Sequence, residues 1–193
     1  MSTSVVPGGL FASAFQLQQT LTTAGFHFCF IGGIVLQRWG EPRFTRDIDL
    51  TLLCPFGDES YIAAALEPLL VSRIASPREF ASEARIYLGQ LSNGTPVDIA
   101  LGGLPFEERA VGRATRYAFS DDIALLTCSA EDLVVMKAFA NRERDWLDVE
   151  SVLIRQAGRL DWQIIEEELA PLAPLRMEAD IVARLKATRQ KCA

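Results

Sequence analysis

The segment Arg46-Asp47-Ile48-Asp49-Leu50-Thr51-Leu52 alternates polar and apolar residues with a period of two. That period suits a half-buried β-strand. Ile48, Leu50 and Leu52 then share one face, and Asp47, Asp49 and Thr51 share the other. Carboxylates at i and i+2 of a strand have Cα atoms roughly 6.5–7 Å apart and point the same way. With no basic residue between them they repel, and each raises the other's pKa. A divalent cation removes that conflict. Hard oxygen ligands at this separation suit magnesium, and a pair of ions about 4 Å apart suits in-line phosphoryl chemistry. A lone Asp-x-Asp on a strand is more often a solvated face, so the surroundings of the pair decide its meaning.

Those surroundings are informative. Residues 26–31 form a short apolar run bounded by Gly25 and Gly32, which reads as a strand. Gly32-Gly33 then makes a tight turn into a short helix over 34–39, broken by Gly40, Glu41 and Pro42. Backbone N–H groups at a glycine turn that opens a helix form a natural phosphate cradle. Residues 85–91 alternate as a strand, Asn93-Gly94 signals a hairpin, and 96–101 is the returning strand, with Asp98 between Val97 and Ile99.

The remaining elements are read more coarsely. Residues 9–24 are amphipathic and helical, closed by Gly25. A helix over 58–71 has Tyr61, Ile62, Ala65, Leu66 and Leu69 on its apolar side, and 73–78 is a loop or weak strand. Residues 105–112 and 121–126 are short and irregular, with one more strand around 116–119. From Ser129 the text turns helical. Ser129-Ala130-Glu131-Asp132 has the form of a capping box, and its helix runs to about Asn141. Helices over 142–157, 160–169 and 175–190 follow. The expected fold is α/β (α+β), a small mixed sheet with flanking helices. A core over 1–127 is followed by a helical segment, 128–193, that packs on it.

Composition sets limits. The chain has 193 residues, about half of them apolar, so it can bury a substantial core. Its net charge of −6 excludes a general nucleic-acid binder, which is normally basic. Cys29, Cys54, Cys128 and Cys192 show no CxxC pairing and suggest no zinc site. His27, the one histidine, lies in an apolar run and is expected in the core, which leaves no Ser-His-Asp or Cys-His catalysis. Trp39, Trp146 and Trp162 fall at helical apolar positions and are also expected in the core. No signal-peptide pattern and no apolar run of about 20 residues is present, so a cytoplasmic protein with no membrane partner is expected.

Taken together, Ile31-Gly32-Gly33, Arg43-x-Thr45-x-Asp47-Ile48-Asp49-Leu50 and Val97-Asp98-Ile99 resemble the nucleotidyltransferase superfamily that includes DNA polymerase β. The likeness covers roughly residues 25–105. It implies that Asp47, Asp49 and Asp98 hold two magnesium ions (manganese being the alternative), that Asp98 also helps activate the attacking hydroxyl, and that Gly32 and Gly33 hold the triphosphate. A second stretch, Lys137-x4-Arg142-x-Arg144-Asp145-x2-Asp148, resembles the AbiEii-type nucleotidyltransferase toxins, as does Arg43-x-Thr45. There the resemblance implies that Lys137 contacts the nucleotide phosphates and Asp148 supports the site. Arg142, Arg144 and Asp145 are equally well read as ion pairs at a helix junction. Arg43 and Arg46, which flank the acids, either bind triphosphate or offset local negative charge.

The expected activity is transfer of a nucleotidyl group from a nucleoside triphosphate, such as ATP, to an acceptor hydroxyl on RNA (including tRNA), on a protein or on a small molecule of the aminoglycoside type. A toxin role implies a cognate antitoxin. One rival reading is a degenerate module that binds a nucleotide or a partner without catalysis; the presence of all three acids argues against it. Another is a different metal-dependent phosphotransfer or hydrolysis on the same carboxylates, which product analysis separates.

Overall fold

The computed structural model describes residues 9–176 and 180–192. Their contacts divide into two compact units, residues up to Ile34 with Phe44–Thr127, and Val35–Arg43 with Cys128 onward. Residues 35–43 therefore cluster with the helical part of the chain and not with the sheet that precedes and follows them.

The first unit is built on a seven-stranded mixed sheet. Its strands are β1 (Phe28–Phe30), β2 (Ile48–Leu53), β3 (Val71–Ser72), β4 (Ile86–Gln90), β5 (Pro96–Gly102), β6 (Thr115–Ser120) and β7 (Ile123–Thr127), in the order β3-β4-β5-β2-β1-β7-β6. β2 lies near the centre, antiparallel to β1 and parallel to β5. Ile48, Leu50 and Leu52 are fully buried, as the alternation requires, and Val97, Ile99 and Leu101 of β5 are buried beside them. Asn93-Gly94 turns the chain between β4 and β5, with Gly94 at φ +83° and the Leu91 amide donating to the Thr95 carbonyl.

Helix α1 (Leu10–Thr23) buries Ala14, Leu17 and Leu21 and ends where Gly25 adopts φ +80°. Gln18 fastens it to the sheet, donating to the Ala124 carbonyl and accepting from the Leu126 amide. Helix α2 begins at Gly32 and runs to Trp39. Helix α3 (Glu59–Leu66) is shorter than the 58–71 expected, because Glu67–Leu70 turns into the edge strand β3. Its buried face is Ala63 and Leu66, and Tyr61 stands out in solvent.

Two further helices are absent from the sequence reading. α4 (Pro77–Ala84) begins within the stretch read as loop or weak strand, and α5 (Pro105–Arg113) replaces an irregular segment. Both start on a proline and bury little: Ala81 in α4, Phe106 and Ala110 in α5. Both are short, eight and nine residues, and poor in apolar residues, so they lack the length and apolar content by which a core-facing helix is read. Glu107 stabilises the start of α5 by accepting from the amides of Gly103 and Leu104 at 2.7 and 2.8 Å. The 121–126 segment, also read as irregular, holds β7. His27 is exposed, one residue before β1, where its carbonyl accepts from the Leu53 amide. The buried run starts only at Phe28, which is why the expectation of a core histidine fails.

The second unit is helical: the end of α2, then α6 (Ala130–Ala140), α7 (Glu143–Arg155), α8 (Trp162–Leu172) and α9 (Ile181–Cys192). The last helix was expected over 175–190; 177–179 lie outside the described residues, and Ala173–Leu175 is a 3-10 turn. The cap at Ser129 forms, its hydroxyl oxygen accepting from the Asp132 amide at 3.0 Å. Asn141, at φ 56°, closes α6 and accepts from the Trp146 indole. Trp146 is buried, whereas Trp39 and Trp162 are half-buried rather than core. Cys29, Cys54 and Cys128 are buried thiols, and Cys192 is half-buried. Among the described residues no helix is long and apolar enough to cross a membrane.

Candidate active site

The parallel pairing of β2 with β5 sets Asp49 directly opposite Asp98. Neighbouring strands lie about 4.8 Å apart, and in-register residues face the same way. Asp47 precedes β2 by one residue and shares the face of Asp49. One carboxylate oxygen of each of Asp47, Asp49 and Asp98 lies within 4.8 Å of the other two, and all three residues are half-buried. An oxygen-only donor set of this span fits hard divalent cations such as magnesium or manganese.

Each acid has its own donor. The Thr45 hydroxyl donates to Asp47 at 2.8 Å. The Gly33 amide reaches Asp49 at 3.5 Å, at the first turn of α2. Asp98 pairs with the guanidinium of Arg73. Burial pushes the Asp98 carboxyl above the usual carboxylate range; Arg73 opposes that shift and the Asp47 charge adds to it. Removing the charge at position 98 should therefore not cost stability. Asp98→Asn is expected to melt within about 2 °C of the parent or above it at pH 7 in the absence of divalent cations, as calorimetry would show. A loss of more than 5 °C would contradict this.

The Gly32-Gly33 turn lies hard against the acids. Gly32 has φ +66°, and a Cβ there would overlap the Asp49 carboxylate. A Cβ on Gly33 would come within 2.6 Å of the Thr45 hydroxyl. Side chains larger than hydrogen would drive the backbone amides off the carboxylates.

Arg73 was not singled out from sequence. Its amide donates to the Leu88 carbonyl at 2.9 Å beside the edge strand β3, and Leu88 is the β4 residue opposite Asp98. Only the assembled sheet brings positions 73 and 98 together. Arg46, by contrast, is exposed, with its guanidinium 5.3 Å from the ring of the exposed Phe44.

The other expected residues belong to the helical unit and form their own cluster. Arg43 grips Asp148 with two hydrogen bonds of 2.9 and 3.0 Å. Lys137 bridges Asp145 and Asp148, each at 2.8 Å, and Arg142 pairs with Asp145 at 2.6 Å. For Arg142 and Asp145 the geometry is that of an ion-paired helix junction; Arg144 is exposed.

Burial alone would raise both acids, but hydrogen bonds from Lys137 and Arg142 to Asp145, and from Arg43 and Lys137 to Asp148, outweigh it and hold both carboxyls low. A carboxyl lowered on folding contributes stability that is fully present above its unfolded pKa of about 3.9 and is lost as pH falls through the folded value. All three tryptophans lie in this unit. Tryptophan fluorescence should therefore report a loss of stability that begins near pH 4. Asp145→Asn is expected to lower stability at pH 7 by about 2–4 kcal/mol, because it leaves the Lys137 ammonium short of a buried partner. Retention of the parent midpoint in urea would refute this.

The family to which this chain belongs makes it a nucleotidyltransferase, a transferase enzyme. The chain belongs to the family described as nucleotidyl transferase AbiEii toxin, type IV toxin–antitoxin system, whose model matches residues 18–170. Among solved structures, an antigenic nucleotidyltransferase-like protein from Paracoccidioides brasiliensis is similar at 18% identity and a TM-score of 0.52, over 92% of each chain. The solution structure of the antibiotic-resistance factor ANT(2'')-Ia is similar at 15% identity and a TM-score of 0.49, over 94% of this chain and all of that one. No curated protein matches the sequence significantly.

Proposed function

We propose that the chain transfers the nucleotidyl group of a nucleoside triphosphate to an acceptor hydroxyl, with Asp47, Asp49 and Asp98 holding two magnesium ions. The observation that carries this reading is the convergence of the three carboxylates within 4.8 Å on one face of the sheet. Bound there, the cations would neutralise the triphosphate and stabilise charge on the departing pyrophosphate. The oxygen of the acceptor hydroxyl forms a bond to the α-phosphorus as the bond to pyrophosphate breaks. The hydroxyl proton passes to Asp98, the role that the family resemblance gives this acid. Thr45 orients Asp47, the Gly33 amide orients Asp49, and the amides of the Gly32-Gly33 turn would donate to phosphate oxygens. In the helical unit, Lys137 is held by Asp145 and Asp148, and Arg43 grips Asp148; a role for Lys137 toward nucleotide is what the family resemblance implies. The acceptor is a hydroxyl on RNA, protein or a small molecule, and membership of a toxin family makes a cognate antitoxin the natural partner.

Calorimetric titration of the four nucleoside triphosphates with magnesium tests the reading. Magnesium-dependent binding of at least one triphosphate is expected, lost in Asp47→Ala/Asp49→Ala. Binding that is unaffected by the double substitution would overturn the assignment.

A further inference from the structure

Arg73 stands apart as a cation built against the acidic cluster. It follows the two-residue edge strand β3, and its backbone is fixed on both sides. The Arg73 amide donates to Leu88, the Ser72 hydroxyl donates to the Ile74 carbonyl at 2.8 Å, and the Ile74 amide donates back to the Ser72 hydroxyl at 3.1 Å. Leu88, Asp98 and Asp49 thus form a row across two strand pairings, Arg73 joins its end through the hydrogen bond to Leu88, and the guanidinium closes it on an Asp98 oxygen. Both partners are about a third exposed, at 30% and 38% of their side-chain surface. An ion pair this open is weak and exchangeable. It lies on one of the carboxylates to which the proposed function assigns the cations.

We propose that Arg73 is a positioning residue that serves as the resident counter-ion of Asp98 and competes with divalent cations for that carboxylate. Without a cation, its guanidinium offsets the repulsion among the three acids and keeps Asp98 turned toward Asp49. With a divalent cation bound to the three acids, the Asp98 carboxylate would be held by the cation and the Arg73 guanidinium would be free to turn to solvent. Arg73 thereby sets the cation concentration at which the site fills. This inference rests on the proposed cation-binding role of the three acids.

The test is calorimetric titration of the full chain with manganese alone, without nucleotide, on the parent, Arg73→Gln, Asp98→Asn and the Arg73→Gln/Asp98→Asn double variant. Manganese is expected to bind Arg73→Gln about three- to tenfold more tightly than the parent. In the Asp98→Asn background the same substitution should change the affinity less than twofold. Denaturation in urea supplies a second reading. Arg73→Gln should be less stable than the parent in EDTA, and the difference should close at saturating manganese. Unchanged or weaker manganese binding by folded Arg73→Gln, while the parent binds, would overturn the role of Arg73 and leave the carboxylate site standing. So would an equal tightening in the Asp98→Asn background. No manganese binding by either the parent or Arg73→Gln would overturn the carboxylate site itself, and the role of Arg73 with it.

Discussion

Asp47→Ala/Asp49→Ala is expected to lose nucleotidyl transfer by at least about 10³-fold while folding at least as well as the parent. The activity loss follows from removing two of the three convergent oxygen donors, which supply stabilisation of several kcal/mol to charge that develops only in the transition state. The retained stability follows from electrostatics. Half-buried carboxylates within 4.8 Å of one another repel, and without a bound cation the Thr45 hydroxyl on Asp47 and the Arg73 guanidinium on Asp98 offset that repulsion in part. A steady-state rate assay paired with thermal melts in EDTA checks both halves. The combination separates a functional cluster from a structural one. If the double variant melted far below the parent, the acids would be holding the fold. If it kept the parent rate, they would not be taking part in the chemistry.

The second large effect is expected at Gly32. Its φ of +66° lies in the left-handed region that glycine enters freely, and a Cβ there would overlap the Asp49 carboxylate. Gly32→Ala therefore combines a backbone penalty of about 1–2 kcal/mol with displacement of an acid from the cluster. A fall of at least about 10²-fold in kcat/KM is expected, with a loss of about 2–4 kcal/mol measured in urea. Gly94→Ala serves as a control. Gly94 also has positive φ, +83°, yet a Cβ there meets nothing within 4 Å, so this variant should lose about 1 kcal/mol and keep its activity. Equal activity losses at the two glycines would show that strain alone, and not contact with Asp49, governs the turn.

Much of the sheet was legible because its central strands obey simple patterns. The alternation from Arg46 to Leu52 marks β2 and its buried face, and Asn93-Gly94 marks the hairpin that returns Asp98. Thr51 departs from the pattern. It was assigned to the polar face but is buried, because α5 packs on β2 and the Thr51 methyl fills the space beside Gly102 that a Cβ there would need. That helix carries only two buried side chains, too few to announce itself in the sequence.

The pairing of β2 with β5 could not be read from either strand alone. The Asp49–Asp98 register spans 49 positions and arises from sheet assembly, not from local spacing. Arg73 was missed for the same reason: nothing near it in the sequence marks it, and its partner is on another strand. In the helical unit, Lys137 drew notice through the family resemblance. The sequence could not show that two buried aspartates, Asp145 and Asp148, neutralise it there.

The most direct test of the central claim is to incubate the chain with magnesium and α-labelled nucleoside triphosphates in the presence of mixed RNA, protein and small-molecule acceptors, and to identify the products. Covalent transfer of the label to an acceptor is expected, with one pyrophosphate released per label and neither seen with Asp47→Ala/Asp49→Ala. Release of free labelled nucleotide or inorganic phosphate, with no labelled acceptor, would mean that the same carboxylates serve a hydrolase, and would contradict the claim.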